Sequence, residues 1–173
     1  MGIRTVRTEG DECLRKVCKP VKSVSLRTRI LIEDMFDTMY ESGGVGLAAP
    51  QIGVLKRIVV MDTDDNQHVL INPQILEVSG EQTGYEGCLS IPGKSGIVTR
   101  PDYVKVKALN ERGEEYILEG EGLLARCICH ECDHLDGILY SDKAEGGLIN
   151  NEDLPEDEEE DAYEEFTEEE IHK

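Results

Sequence analysis

Two histidines and a glutamate form the most chemically suggestive segment of the chain, since residues 130–134 read H-E-C-D-H and fit the pattern H-E-x-x-H. Because a helix advances about 100° per residue, His130 and His134 project from one face, about 5–6 Å apart, and can reach one metal ion. Glu131 lies beside that face, where it can contact a water on the metal without ligating it. The alternative is a core helix with two buried, hydrogen-bonded histidines, but two of only four histidines in the chain fall here, which favours a metal site.

A catalytic metal site needs a third protein ligand and an open position, and cysteines supply the candidates. Cys127 lies three residues before His130 on the same helical face, whereas Cys88 lies in the distant segment E-G-C-L-S at residues 86–90. A ligand from a separate element can approach from a third direction, while three ligands on one helix are hard to arrange about a tetrahedral centre. The geometry favours Cys88, with Cys127 as the alternative.

A third feature is the glycine- and alanine-rich segment G-V-G-L-A-A-P-Q-I-G at residues 44–53. Small residues let the backbone pass close to another group, and the Gln51 amide can donate a hydrogen bond to a developing oxyanion. The segment has neither the G-x-G-x-x-G spacing nor a Lys-Ser/Thr pair, so phosphate binding is disfavoured. The alternative is a tight loop packed against the helix of the H-E-x-x-H segment.

Two predicted helices flank a series of strands. Apolar residues recur at three- to five-residue intervals from Leu26 to Ser42, including Ile30 and Met35, which predicts an N-terminal amphipathic helix. A second helix is expected from about Gly120 to Leu135, and it carries the H-E-x-x-H segment.

Short β-type runs occupy residues 57–62, 69–72, 75–79, 97–99, 104–109 and 116–119. Their short polar connections suit antiparallel hairpins rather than helical crossovers. The expected fold class is therefore α+β, with short antiparallel strands packed around a central metal-binding helix.

Length and charge limit the classes of protein. The 173 residues favour one domain, which we expect at residues 1–150. Residues 150–173 hold thirteen acids and one lysine, so residues 151–173 are expected to form a flexible acidic tail, with a short helix around Tyr163 and Phe166. The formal net charge of −19 leaves no basic patch for direct nucleic-acid binding.

Membrane and secretory classes are also disfavoured. The longest uncharged stretch, residues 42–55, falls short of the roughly 20 apolar residues of a membrane helix. The N-terminus lacks the apolar region of a secretory signal. Six cysteines are then expected as free thiols in a reducing cytoplasm.

Together, the three segments at residues 44–51, 86–90 and 130–134, in that order, resemble the peptide deformylases, which remove the formyl group from the initiating methionine of new bacterial proteins. The resemblance spans about residues 1–145. The short interval between the first two segments resembles the shorter, bacterial-type subtype.

The resemblance implies a role for each matching residue. It implies Cys88, His130 and His134 as metal ligands, Glu131 as the acid and base, and Gln51 with the backbone N–H of Leu89 as oxyanion donors. It also implies that the backbone of Val45 and Gly46 pairs with the substrate peptide, and that Leu123 and Cys127 line the methionine pocket. Two supporting contacts are further expectations: an ion pair of Arg100 with Asp133, and a hydrogen bond that Glu86 accepts from a ligating histidine.

The implied cofactor is one divalent metal per chain. The family favours Fe(II), often works with Ni(II) or Co(II), and is weaker with Zn(II), although a Cys-His-His set alone would suit zinc. The implied partners are formyl-methionyl N-termini of nascent polypeptides. Some members carry a basic C-terminal helix that meets the ribosome, and the acidic C-terminus here argues against that mode of docking.

Two alternative functions use the same residues. An H-E-x-x-H metallopeptidase shares the helix, but a thiolate third ligand and the other two segments argue against it. A non-catalytic metal- or peptide-binding module leaves Glu131 and Gln51 without a purpose. Hydrolytic removal of a formyl group is therefore the expected function.

Overall fold

The computed structural model describes residues 2–154, which form two α-helices and eight strands. The helices are α1 (Leu26–Glu41) and α2 (Gly122–Leu135). The strands are β1 (Gly46–Ala48), β2 (Ile58–Thr63), β3 (Asn66–Ser79), β4 (Gln82–Cys88), β5 (Ile91–Arg100), β6 (Tyr103–Leu109), β7 (Glu115–Glu121) and β8 (Glu145–Asn150). Short 3-10 turns cover Glu12–Arg15, Ala49–Ile52, Tyr140–Asp142 and Asn151–Asp153.

The strands form two antiparallel sheets. The first has the order β1-β2-β3-β6-β7, and the second has the order β4-β5-β8. All the paired strands run antiparallel, as the short polar connections predict. The predicted α+β class is confirmed.

Strand β2 is buried on both faces because a helix covers each one. Val59 and Met61 contribute to the core cluster that contains α2, whereas Ile58 and Val60 contribute to the cluster that contains α1. Successive side chains of a strand point to opposite faces, so the continuous apolar run of β2 serves both helices. Helix α2 is thereby held against the middle of the first sheet.

Helix α1 begins at a capping box, in which Ser25 and Thr28 bond reciprocally to each other's backbone N–H. Its buried face contains Leu31, Ile32, Met35, Phe36 and Met39. Leu26 and Ile30, which the sequence places on the apolar face, are 73% and 43% exposed. Their assignment to the buried face is wrong. The helix is rotated by about one residue from the predicted orientation, so that Leu31 and Ile32 face the core instead.

Helix α2 is buried over most of its length, and its predicted position is confirmed. It ends before Gly137, whose φ of 74° is left-handed. A Cβ at Gly137 would lie 2.5 Å from the Arg15 carbonyl oxygen, so position 137 requires glycine.

The C-terminal boundary differs from the prediction. Asn151 and Leu154, which the sequence assigns to the tail, belong to the body: Ser95 Oγ donates to Asn151 Oδ1 at 2.5 Å, and Leu154 is buried. The predicted short helix around Tyr163 and Phe166 lies outside the described residues. Within residues 2–154, no helix has the length and apolar character needed to cross a membrane.

Candidate active site

A thiol and two imidazoles converge where strand β4 meets helix α2. Cys88 ends β4, while His130 and His134 lie one helical turn apart on α2. One candidate ligand atom from each residue lies within 4.8 Å of the other two, and Cys88 Sγ is 3.4 Å from His134 Nε2. Metal bonds of about 2.3 Å to sulfur and 2.1 Å to nitrogen place tetrahedral ligands about 3.6 Å apart. The group therefore fits a single metal ion.

The two imidazoles differ in their tendency to bind a proton. Burial lowers the pKa of His134 well below its usual value, which keeps the ring neutral. Burial has the same effect on His130, but hydrogen bonds with Cys88 and Glu86 outweigh it and raise that pKa. A metal ion at this site would compete with protons for Cys88 and His130, because thiolate and imidazole ligands must be deprotonated to bind a metal.

Glu86 orients His130 from within the body of the protein. Its Oε1 lies 2.9 Å from His130 Nδ1, which leaves Nε2 on the side of the metal group. Burial raises the pKa of the Glu86 carboxyl, but hydrogen bonds from Arg100 and His130 outweigh burial and hold that pKa well below its usual value. Arg100 Nη1 also donates to Asp133 Oδ2 at 2.7 Å, the ion pair that the sequence predicts.

Glu131 is buried beside the candidate ligands, on the side of the Gly46 backbone. A Cβ at Gly46 would lie 2.6 Å from Glu131 Oε2, so a larger residue cannot occupy this position without moving the carboxylate. Glu131 Oε1 has no hydrogen-bond partner among the described residues. Burial raises the pKa of Glu131 to about 7, so the carboxyl can both accept and return a proton near neutral pH.

The side chain of Gln51 is held in one orientation by its own loop. Its Oε1 accepts a hydrogen bond from the backbone N–H of Ala48 at 2.9 Å. The amide nitrogen therefore faces the opposite way, 3.1 Å from Ser90 Oγ and 3.6 Å from Cys88 Sγ. A donor fixed in this way can stabilise negative charge that develops near the candidate metal group.

A cleft of about 470 Å³ opens onto these residues. Its lining includes Val45, Gly46, Gln51, Cys88 and Leu89. His130 and Glu131 line it as well. Strands β1 and β4 are edge strands of the two sheets, so the cleft presents strand edges to a peptide.

Two of the sequence-predicted pocket residues do not line this cleft. Leu123 is only partly buried near the start of α2. Cys127 is fully buried, with its Sγ 3.9 Å from the Val45 carbonyl oxygen, behind the backbone of Gly46. The other predicted residues come together as expected.

Sequence reasoning missed three residues of the site. Ser90 accepts from Gln51, the Tyr140 ring stacks on His130 with centroids 5.9 Å apart, and Arg126 contacts Glu86. Ser90 lies in the quoted segment E-G-C-L-S, and Arg126 lies four residues before His130 on the same helical face. Both positions were therefore visible in the sequence, whereas nothing local marks Tyr140.

Comparison with known proteins identifies the family. The sequence model described as "Polypeptide deformylase" matches residues 3–147. The chain belongs to the peptide deformylase family. A peptide deformylase of Agathobacter rectalis is 61% identical over 148 residues, which cover 86% of this chain and 94% of the relative.

Solved structures agree with this assignment. A peptide deformylase from Legionella pneumophila has a TM-score of 0.82 and 47% identity, covering 84% of this chain and 88% of that one. A Met-Ala-Ser-bound class I type b peptide deformylase from Acinetobacter baumannii has a TM-score of 0.78 and 36% identity, covering 82% and 98%. The chain is thus a metal-dependent hydrolase that removes the N-terminal formyl group from nascent proteins.

Proposed function

We propose that Cys88, His130 and His134 hold the metal and that Glu131 is the general acid and base. The observation that carries this proposal is the convergence of one thiol and two imidazoles beside a buried carboxyl. Thiolate and imidazole are ligands that transition metals prefer. When bound, a divalent metal supplies Lewis acidity, which lowers the pKa of water and polarises the formyl oxygen.

Glu131 moves the protons of the reaction. As the carboxylate, it removes a proton from the attacking water, and as the acid it protonates the departing amine while formate leaves. Its burial and the approach of Gly46 keep bulk water from solvating the carboxyl. A pKa of about 7 suits both halves of this cycle.

Gln51 and the backbone N–H of Leu89 stabilise the oxyanion of the tetrahedral intermediate. The contact of Gln51 with Ala48 fixes the donor before substrate arrives. Leu89 follows Cys88 in the turn between β4 and β5 and lines the same cleft as Gln51. Donors fixed in advance need no reorganisation during the reaction.

The substrate peptide binds as an added strand along the cleft. Val45 and Gly46 at the β1 edge offer backbone groups to the peptide, which is the usual way that a sheet edge recognises an extended chain. The resemblance assigns Leu123 and Cys127 to the methionine pocket, but neither lines this cleft and Cys127 is fully buried, so the proposal does not include them as substrate contacts. In the proposed orientation the formyl group of the peptide lies beside Glu131 and Gln51, which line the same cleft.

Fe(II) is the proposed metal, on the family preference, with Ni(II), Co(II) and Zn(II) able to occupy the same donors. We propose a cytoplasmic enzyme of the shorter bacterial-type subtype that meets nascent chains near the ribosome without a basic docking helix. The acids after Leu154 support the second part of this proposal, the lack of a basic docking helix, because acidic residues would repel ribosomal RNA. Direct binding of nucleic acid or membrane is not part of the proposal.

The test is an anaerobic metal assay of the purified protein coupled to formate release from a formyl-methionyl peptide. We expect about one metal per chain and formate release that a chelator abolishes. The same assay with the unformylated peptide tests the metallopeptidase alternative, and cleavage of that peptide would support it.

A further inference from the structure

A second arginine meets Glu86 from the helix that carries the histidines. Arg126 is 2% exposed and lies on α2, four residues before His130. Its Nη1 donates to Glu86 Oε2 at 2.7 Å and to the carbonyl oxygen of Val98 on β5 at 3.2 Å. Fully buried arginines are rare unless they are paired, and the ion pair with Glu86 accounts for the burial of Arg126.

The two oxygens of Glu86 are divided between these partners. Oε2 accepts from Arg126 and from Arg100 Nε, at 2.7 and 2.8 Å. Oε1 accepts from Arg100 Nη2 and lies against His130 Nδ1, both at 2.9 Å. Glu86 therefore contacts α2 at two points one helical turn apart, Arg126 and His130.

The two arginines connect different parts of the fold. Arg100 lies on β5, which pairs with β4, so its contacts with Glu86 stay within one sheet. Among residues 2–154, its ion pair with α2 is made to Asp133, whose side chain is 19% exposed and also pairs with Lys143. Arg126 joins Glu86 directly to α2 where both side chains are buried.

This connection fixes the strand of one ligand against the helix of the others. Cys88 lies two residues after Glu86 on β4, and His130 and His134 lie on α2. A displacement of β4 relative to α2 would change the distance from Cys88 Sγ to His134 Nε2, which is 3.4 Å. The Arg126–Glu86 ion pair opposes that displacement.

We propose that Arg126 is a positioning residue of the metal site, which acts through Glu86 to hold the thiol of β4 in register with the imidazoles of α2. The inference rests on the proposed ligand set of Cys88, His130 and His134. Arg126 is not one of the proposed ligands and does not line the cleft. Its effect should therefore appear in metal affinity and ligand geometry as well as in turnover.

The test compares Arg126→Met with Arg126→Lys, using Co(II) as the probe. Metal dissociation constants are measured by competition with a chelator, and the visible Co(II) spectrum reports ligand geometry. We expect Arg126→Met to weaken Co(II) binding about 10- to 100-fold and to alter the spectrum. Arg126→Lys keeps a charged donor and should recover affinity to within about threefold of wild type.

Arg57→Met is the matched control. Arg57 bonds to Asp136 and to the Leu135 carbonyl oxygen at the far end of α2. The Arg57→Met variant should have lower thermal stability than wild type, with unchanged Co(II) affinity and an unchanged visible spectrum. Equal losses of affinity in Arg57→Met and Arg126→Met would mean that general destabilisation of α2 explains the result, and would overturn the proposal.

A double-mutant cycle with Glu86→Gln tests the route of the effect. If Arg126 acts through Glu86, adding Arg126→Met to Glu86→Gln should change Co(II) affinity by less than about twofold. A full additive loss would contradict the proposal. If Arg126→Met does not fold, Arg126→Gln carries the same expectation, because a neutral amide is a weaker partner for a carboxylate.

Failure of the ligand set has a separate signature. If wild type does not bind Co(II), or if Cys88→Ala binds it as well as wild type does, the proposed ligands are wrong. If wild type binds one Co(II) through Cys88 and Arg126→Met leaves the affinity and the spectrum unchanged, only the role of Arg126 is wrong.

Discussion

The Gln51 amide nitrogen points at the Cys88 thiol, with 3.6 Å between Nε2 and Sγ. The orientation of the amide is fixed, because the Ala48 N–H donates a hydrogen bond to the amide oxygen on the opposite side. A loop rich in small residues thus presents one polar group to the candidate metal site. The relationship links two segments that lie 37 residues apart.

Replacing Gln51 should lower the rate of the chemical step. We expect Gln51→Leu to lower kcat about 10²- to 10³-fold, since one oxyanion donor is lost, while KM changes by less than about threefold. Steady-state kinetics with a formyl-methionyl peptide measures both. Ser90→Ala, which removes only an acceptor of the Gln51 amide, should cost less than about fivefold. Near-normal kcat in Gln51→Leu would exclude the oxyanion role.

The two candidate thiols should separate in a metal assay. Cys88→Ala should lose the metal, because it removes a ligand that comes from outside α2. Cys127→Ala should retain it, since Cys127 Sγ is buried behind Gly46 and contacts the Val45 carbonyl oxygen. Metal content is measured by elemental analysis after anaerobic purification. The opposite pattern would mean that Cys127 is the third ligand.

The sequence predicts the helix of the histidines and most strands of the first sheet, because their apolar periodicity is strong. It does not predict β4, although β4 carries Glu86 and Cys88. The strand has few apolar residues, and its position depends on pairing with β5, which is a tertiary effect.

The predicted runs 69–72 and 75–79 form one strand, β3, with a left-handed residue at Asn72. Asn72 adopts φ of 53° while its side chain exchanges two hydrogen bonds with the backbone of Val21, 51 residues away. Local pattern cannot reveal such a partner. Arg126 was missed for a different reason, since a charged residue on a helix is usually solvated.

Gly46 should tolerate no side chain. A Cβ there would lie 2.6 Å from Glu131 Oε2 and 2.9 Å from Cys127 Sγ, so Gly46→Ala should displace Glu131 and lower kcat at least about tenfold. Gly2→Ala is the control, because its Cβ would make an ordinary contact at 3.6 Å with Asp34. Kinetics of both variants, at matched metal content, make the comparison. Equal activity of the two variants would contradict the requirement for glycine beside the Glu131 carboxylate.

Truncation should separate the body from the acids that follow it. Ending the chain after Leu154 should leave turnover within about twofold, roughly 0.4 kcal/mol in the barrier. Ending it after Asn150 should lower the free energy of unfolding, because the contact of Asn151 with Ser95 and the burial of Leu154 are lost. Thermal melting and small-peptide turnover measure the two effects. Equal stability of both truncations would contradict the revised boundary.

The most direct test of the account is the metal content and formate release of Glu131→Gln measured on the same anaerobic preparation. The account predicts about one metal per chain, as in wild type, together with a loss of formate release of at least about a hundredfold, because Glu131 moves protons and does not hold the ion. Full metal content with near-normal formate release would contradict it.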